Sequence, residues 1–249
     1  MLGQLVKRDV LLRYRGAVFG VLWIFFSPLL MLAIFSLVFG HIFQARWPQQ
    51  DEHLPFWLLL YSGLITFNVF AETVSRAPAA VRGYPGFVKK IIFPVHILPV
   101  VPLGAALVHG AFNFLILLFV LAGTGRFHIQ ALFFPLLLLP VLLLALGFSW
   151  FMAAWGVFIK DMIQIVPMFV QMLLFLSPVF YPVSAVPEVL RPIYQYNPLG
   201  AMIENTRLAV AGQPIEWGAW GVAFGCCLMV SILGSAFFQH SREEFADAL

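Results

Sequence analysis

Apolar residues in this chain come in runs of bilayer length, not in the short alternations of a soluble fold. A hydrocarbon core about 30 Å thick takes roughly 20 apolar residues per helix. No charged residue occurs from Ala17 to Phe43, which predicts a first span over 17–43. The run is too long for a secretory h-region and reads as an uncleaved span rather than a signal peptide. Further spans are predicted over 54–73, 95–122, 131–159, 162–181 and 217–238. Pro99, Pro102, Pro135 and Pro140 sit near the starts of the third and fourth, where a missing amide donor matters least. The fifth contains Pro167 and Pro178. The expected fold class is all-α integral membrane: six transmembrane helices in one unit over 1–249, with both termini on one side. A segment over 1–16 precedes the spans and a tail over 239–249 follows them.

One stretch departs from simple spanning. Residues 177–214 are apolar but interrupted by Pro178, Pro182, Pro187, Pro192 and Pro198. Asn197 followed by Pro198 reads as a helix cap and first helical position, and Gly212 as the stop. The intervening helix, about 14 residues, is too short to cross, and the piece from Val189 to Tyr196 is shorter still. Two short re-entrant helices are therefore predicted within 184–212. Irregular backbone at that depth is tolerated only against protein or a water-filled cavity, so this segment is expected to border a path. A plain amphipathic loop resting on lipid is the alternative.

Composition narrows the classes further. Of 249 residues, 62% are hydrophobic and 10% charged, against about 25% charged in an ordinary soluble domain. With 27 Phe and a mean hydropathy of +0.95, the chain is neither a soluble enzyme nor a disordered segment. The net charge of +3 gives no footing for nucleic acid. The two cysteines, Cys226 and Cys227, are adjacent and make no disulfide framework.

The 14 Lys and Arg set the orientation. With the N-terminus inside, the inner set is Lys7, Arg8, Arg13, Arg15, Arg76, Arg82, Lys89, Lys90, Lys160 and Arg242. The outer set is Arg46, Arg126, Arg191 and Arg207. Ten against four predicts an N-in, C-in topology.

Catalytic signatures are missing from the sequence. There is no GxxxxGK[ST] phosphate loop, no HExxH and no acidic metal cluster, so neither a catalytic residue nor a metal site is expected. His109 and Asn113 share a helical face, a spacing suited to interhelical hydrogen bonds. Glu72 lies four residues before Arg76, the order that favours an ion pair. Asp161 sits beside Lys160. Both carboxylates read as boundary charges rather than a proton relay.

Basic charge concentrates in two tracts. QLVKRDVLLRYRG carries Lys7, Arg8, Arg13 and Arg15 just before the first span, where snorkelling at anionic headgroups accounts for it. Its charged and apolar positions mix on a helical wheel, so no strong amphipathic face is expected. The loop over 76–93 is longer than a turn requires and bears Arg82, Lys89 and Lys90 between prolines, a candidate docking knob for a cytoplasmic partner. Aromatic residues recur at helical spacing as Phe19, Trp23 and Phe26, and again as Trp150, Phe151, Trp155 and Phe158. Such stripes serve as lipid contact, core or interfacial belt, and they also suit stacking on sugar rings.

Three motifs in order carry a resemblance. RDVLLRYRGAVFGVLWIFFSPLLMLAIFSLVFG (8–40) resembles the opening of the permease subunits of polysaccharide exporters of the type-2 ABC superfamily, with Arg13, Tyr14, Arg15, Gly20, Trp23 and Pro28 in register. YPGFVKKIIFPVHILP (84–99) resembles the family segment between spans two and three, matching at Lys89, Lys90, Phe93 and Pro94. His96 stands where the family often has a charged residue. SPVFYPVSAVPEVLRPIYQYNPLGAMIENTR (177–207) resembles the third hallmark, at Ser177, Pro178, Tyr181, Pro182, Pro187, Asn197, Pro198 and Arg207.

The resemblance implies an interface helix over 1–16, a cytoplasmic coupling helix, and two periplasmic gate helices marked by Pro187, Asn197, Pro198 and Arg207. It further implies a homodimer in the bacterial inner membrane, working with two copies of a separate nucleotide-binding subunit. ATP and Mg belong to that subunit, with no cofactor in this chain. The implied cargo is polysaccharide linked to undecaprenyl diphosphate, of the O-antigen type. On this reading Arg82, Lys89 and Lys90 meet the ATPase, Arg13 and Arg15 meet the lipid diphosphate, and the two aromatic groups line the glycan path. Membrane lipids are partners and nucleic acid is not. Capsule, teichoic acid or a small lipophilic compound are alternative cargoes. An ion-coupled carrier or membrane enzyme is the alternative of a different class.

Overall fold

A computed structural model describes residues 1–43, 54–84, 86, 93–182, 186–189 and 197–245. Among them the chain is helical throughout, with no strand. Helix α1 (Leu2–Arg13) comes first. Gly16, at a φ of 89° that suits glycine, lets the chain turn into α2 (Trp23–Phe35), which is preceded by a 3-10 turn and runs on as a π-helical segment over Ser36–Ile42. Then follow α3 (Phe56–Arg82), α4 (Val100–Gly123), α5 (Leu139–Phe158), α6 (Met162–Leu176), α7 (Pro198–Val210) and α8 (Trp217–Ser241).

Five helical runs among the described residues are long and apolar enough to cross a bilayer: Gly20–Ile42, Phe56–Arg82, Val95–Gly123, Ile129–Phe158 and Trp217–Glu244. Each overlaps a predicted span. The predicted fifth span, 162–181, is different. Its helix α6 has 15 residues, about 22 Å of helix. It ends where Ser177 goes extended, at a ψ of 146°, because a residue before proline is driven out of the helical region and Pro178 follows. The second span departs in the other sense. It was expected to end at Thr73, yet α3 continues to Arg82 through Pro78. A proline removes one ladder bond, and here α5 packs against that point.

Helix α3 is the axis of the fold. It is buried along most of its length and packs on α4, α5, α6 and α7, whereas α2 is exposed along nearly all of its own. The main core joins Leu60, Leu64, Phe67, Phe70 and Val74 of α3 to residues of α5, α6, α7 and α8. Polar groups on the buried face bond back to their own helix, as Thr73 does to Val69 O at 2.7 Å. This satisfies hydroxyls without a neighbour.

Close crossings rest on small residues. A Cβ on Gly147 of α5 falls 2.6 Å from Val230 O of α8, and one on Gly234 of α8 falls 2.2 Å from Gly147 O. A Cβ on Gly156 of α5 meets Pro78 O at 2.2 Å. The neighbour in each case is backbone, which moves only with its helix. Helices in lipid gain stability through such close backbone approach. Gly234→Ala is expected to separate α5 from α8 and lower stability by about 1–3 kcal/mol, the usual cost of overpacking. Gly225→Ala, on the same helix with open space around it, is expected to leave stability unchanged or slightly raised. Thermal unfolding of the two purified variants checks both.

Candidate functional site

Two clusters of polar residues occupy opposite parts of α3. The first joins α1, α3 and α4. Asp9 of α1 accepts from Arg76 Nη2 of α3 at 2.6 Å. Arg13 of α1 pairs with Glu72 of α3 at 2.5 Å, and Arg76 also approaches Glu72 at 3.5 Å. His109 of α4 places Nδ1 2.9 Å from both Glu72 oxygens, while its Nε2 lies 3.2 Å from the Tyr14 hydroxyl. Arg13 Nη1 also lies 3.1 Å from His109 Nδ1, so Arg13, Glu72 and Tyr14 all converge on the imidazole. Burial pushes the Tyr14 phenol up, Arg13 opposes this and Glu72 adds to it, so the hydroxyl keeps its proton. Asn113, one turn on, donates to His109 O at 2.7 Å and accepts from Tyr61 of α3 at 2.8 Å.

The charges in this seam cancel. Asp9 and Glu72 balance Arg13 and Arg76. Partly buried charges persist when paired and hydrogen-bonded. Packing seats the helix as well: Val6 of α1 fills the space over Gly104 of α4, where a Cβ falls 2.4 Å from it. Val10 packs with Ile24 and Ala105.

Several sequence expectations change here. Glu72 is not at a helix end, since α3 continues for ten residues beyond it to Arg82, and its nearest cation is Arg13 rather than Arg76. The mixed wheel of α1 also gains a reason. Asp9 and Arg13 are directed at α3, while Lys7, Arg8 and Arg15 are exposed. Arg13 and Arg15, grouped in the sequence reading, thus have different surroundings. The seam itself went unseen, because the Asp9–Arg76 and Arg13–Glu72 pairs join residues far apart in the chain.

The second cluster surrounds α7. Asn197 caps it by accepting from Leu199 N at 3.0 Å and donates to Ser177 Oγ at 3.2 Å, with Pro198 at the first helical position. Gly212, at a φ of 71°, ends it in a Schellman arrangement: Gln213 N donates to Leu208 O at 2.9 Å and Gly212 N to Ala209 O at 3.3 Å. The expected cap, start and stop are all present, on 13 residues. Arg207 is fully buried. Its guanidinium donates to Leu59 O of α3 at 3.3 Å, to Val179 O, and to Glu204 at 3.2 Å. Gly63 of α3 leaves room for it, since a Cβ there lies 3.0 Å from Arg207 Nη2. Thr206 Oγ1 meets Thr66 Oγ1 of α3 at 3.0 Å, and Asn205 accepts from Glu216 N, the residue before α8, at 2.9 Å.

With both clusters placed, comparison with known proteins decides the family. Residues 2–211 match the ABC-2 type transporter family. The chain belongs to that family. It is 24% identical over 255 residues to an O-antigen export system permease protein RfbA of Klebsiella pneumoniae, covering 100% of this chain and 95% of the relative. It is 25% identical over 257 residues to the RfbA permease of Myxococcus xanthus, with the same coverages. The polysialic acid transport protein KpsM of Escherichia coli is 26% identical over 243 residues, covering 96% of this chain and 92% of the relative.

The remaining family-implied residues lie as follows. Phe19, Trp23 and Phe26 form one ring cluster, with centroids 5.9–6.4 Å apart, and Phe19 and Phe26 are exposed. Trp150 donates to His96 O at 3.1 Å. Phe151 stacks on Phe237 of α8 at 4.2 Å and touches Trp155 at 5.5 Å. Among the described residues no ring contact joins the two groups. Arg82 Nη2 donates to Val157 O at 2.8 Å, tying the end of α3 to the end of α5. Lys89 and Lys90 lie outside the described residues, as does most of the first expected gate helix. Pro187 is described and precedes that expected helix in sequence.

Arg207→Ala leaves the Val179 carbonyl without this charged donor and is expected to cost at least about 2 kcal/mol. Arg207→Lys is expected to recover little, because one ammonium cannot reproduce the planar fork. Thermal unfolding reads both. For the seam, Glu72→Gln is expected to weaken the hold of α3 on α1. Hydrogen exchange should then rise over residues 2–13 while α7 stays protected.

Proposed function

We propose that this chain is the membrane-spanning subunit of an ATP-driven exporter of lipid-linked polysaccharide, of the O-antigen type, in the bacterial inner membrane. The observation that supports this most is likeness to O-antigen export permeases along the whole chain. The subunit acts as a homodimer with two copies of a separate nucleotide-binding subunit, which brings ATP and Mg. Both termini face the cytoplasm, and α6 completes a sixth crossing together with the segment that follows it. The cargo is a glycan on undecaprenyl diphosphate. The likeness to KpsM favours capsular polysaccharide as the second reading, with the same assembly and another polymer.

The geometry supports a mechanical route. The nucleotide-binding subunits push on the loop around Arg82, Lys89 and Lys90 and on α1. Asp9–Arg76 and Arg13–Glu72 fix α1 to α3, so displacement of α1 carries α3 with it. Thirteen residues separate Glu72 from Leu59, about 20 Å of helix, and Leu59 is where Arg207 of α7 attaches. Helix α3 is thereby a strut from the interface helix to the periplasmic gate that Pro187, Asn197, Pro198 and Arg207 mark. Exposed Phe19 and Phe26, with half-buried Trp23 beside them, offer sugar-stacking faces, as do half-buried Trp150 and Phe151 and exposed Trp155. Arg13 is engaged by Glu72, which leaves Arg15 as the freer cation for a lipid diphosphate. Catalysis is no part of this chain's role.

Affinity capture from native membrane is expected to bring down an ATPase subunit and a lipid-linked glycan together. Charge reversal as Lys89→Glu with Lys90→Glu is expected to lose the ATPase. Glycan transport by the chain alone in liposomes, without ATP, would overturn the reading, and sugar analysis of the captured glycan separates O-antigen from capsule.

A further inference from the structure

The exposed side of α1 carries a cleft of about 490 Å³ that meets the seam only at Tyr14. Lys7, Arg8 and Arg15 line it together with Leu11, Leu12 and Val21. Lys7, Arg8 and Leu11 are spaced to share one face of α1, and Arg15 sits in the turn that follows the helix. Arg8 is held on one wall, its guanidinium 4.9 Å from the centroid of the Tyr84 ring. Among the described residues no carboxylate pairs with Lys7, Arg8 or Arg15, in contrast to Arg13 and Arg76. The apolar part is equally unpartnered: Leu11, Leu12 and Val21 are 45%, 49% and 44% exposed.

We propose that this cleft is a binding site for an anionic glycerophospholipid, with the phosphate on Lys7, Arg8 and Arg15 and the upper acyl chain on Leu11, Leu12 and Val21. Charge sets the sign of the ligand: three cations with no acid among them call for an anion. The leucines set its class, because a wholly hydrophilic anion leaves that apolar surface in water, whereas an amphiphile covers both parts at once. The volume lies within the range of small-molecule sites and exceeds what a lone phosphate fills. Position agrees, since α1 precedes the first span directly. The phospholipid is a standing ligand that holds the outer side of α1 while the seam holds the inner side. Membrane cargo is a different matter, since it has to leave in every cycle. The proposal needs only the membrane-protein reading, and it gives Arg15 to a resident lipid in place of the passing cargo diphosphate.

The test is native mass spectrometry of the purified transporter after exchange into mixed micelles of phosphatidylglycerol and phosphatidylcholine. Wild type is expected to retain phosphatidylglycerol over phosphatidylcholine by at least about tenfold, given the usual contribution of each basic residue at an anionic surface. The triple variant Lys7→Gln, Arg8→Gln, Arg15→Gln is expected to fall to about twofold or less. Lys160→Gln, which removes an exposed cation elsewhere, is expected to keep the wild-type preference. The triple variant leaves Asp9–Arg76 and Arg13–Glu72 in place, so its thermal unfolding after delipidation into phosphatidylcholine alone should lie close to wild type and exclude misfolding as the cause. Equal retention of both lipids by wild type, or an undiminished preference in the triple variant, overturns the site. So does retention of a polyprenyl diphosphate with no retention of phosphatidylglycerol, which would assign the cleft to cargo.

Discussion

Everything in this fold hangs on one helix whose polar groups must be satisfied without water. Helix α3 packs on α4, α5, α6 and α7, so a polar side chain on it faces protein on most sides, where an unpaired group is costly. The helix meets this demand in two ways. Ser62, Thr66 and Thr73 return their hydroxyls to carbonyls of the same helix, which costs nothing in neighbours. Glu72, Arg76 and the Leu59 carbonyl instead take partners from other helices. Those choices decide what α3 is attached to.

The two attachments differ in chemistry. Around Leu59 and Thr66 the link is made of a fully buried guanidinium, carbonyls and hydroxyls, with Gly63 kept small to admit Arg207. Such a link has no competing solvent and resists rearrangement. Around Glu72 the link is made of ion pairs, and the Arg13 side chain is half exposed. Water competes there, and exposed pairs contribute little each. The hold on α1 therefore comes from four charges and His109 acting together with the packing of Val6 over Gly104, not from any single pair. One end of α3 is built to stay, and the other is built to be adjusted.

Much of this was legible in the sequence. Charge-free runs located all five long helices, although α3 runs nine residues past its expected end, because the bilayer demands both length and apolarity. Asn197-Pro198 and Gly212 located α7, since caps and stops are local chemistry. Local signals also misled. The spacing of Glu72 and Arg76 suggested a self-contained pair near a span end, whereas Pro78 does not stop α3 and the stronger partner of each residue lies on α1. The mixed wheel of α1 hid two faces that are each consistent, one addressed to α3 and one to the outside. Arg207 was marked only through family resemblance, as its partners are backbone carbonyls that no sequence pattern displays. Contacts between distant segments, above all charge to charge and charge to carbonyl, are what a linear reading lacks.

The placement of charge follows from these constraints. A short helix lying beside a bundle can be held by apolar packing alone, as Val6 and Val10 illustrate. Apolar packing, however, tolerates sliding, because its energy depends on area and not on direction. Two ion pairs on α1 residues 9 and 13, one turn apart and each directed at α3, fix both the register and the rotation of α1. Fixing rotation is what separates its cations into two populations. With Asp9 and Arg13 turned inward, Lys7, Arg8 and Arg15 are left on the free side beside Leu11 and Leu12. The neutral seam and the unneutralised cleft are thus two consequences of one orientation, and a sequence that lost Asp9 and Arg13 would lose the definition of both.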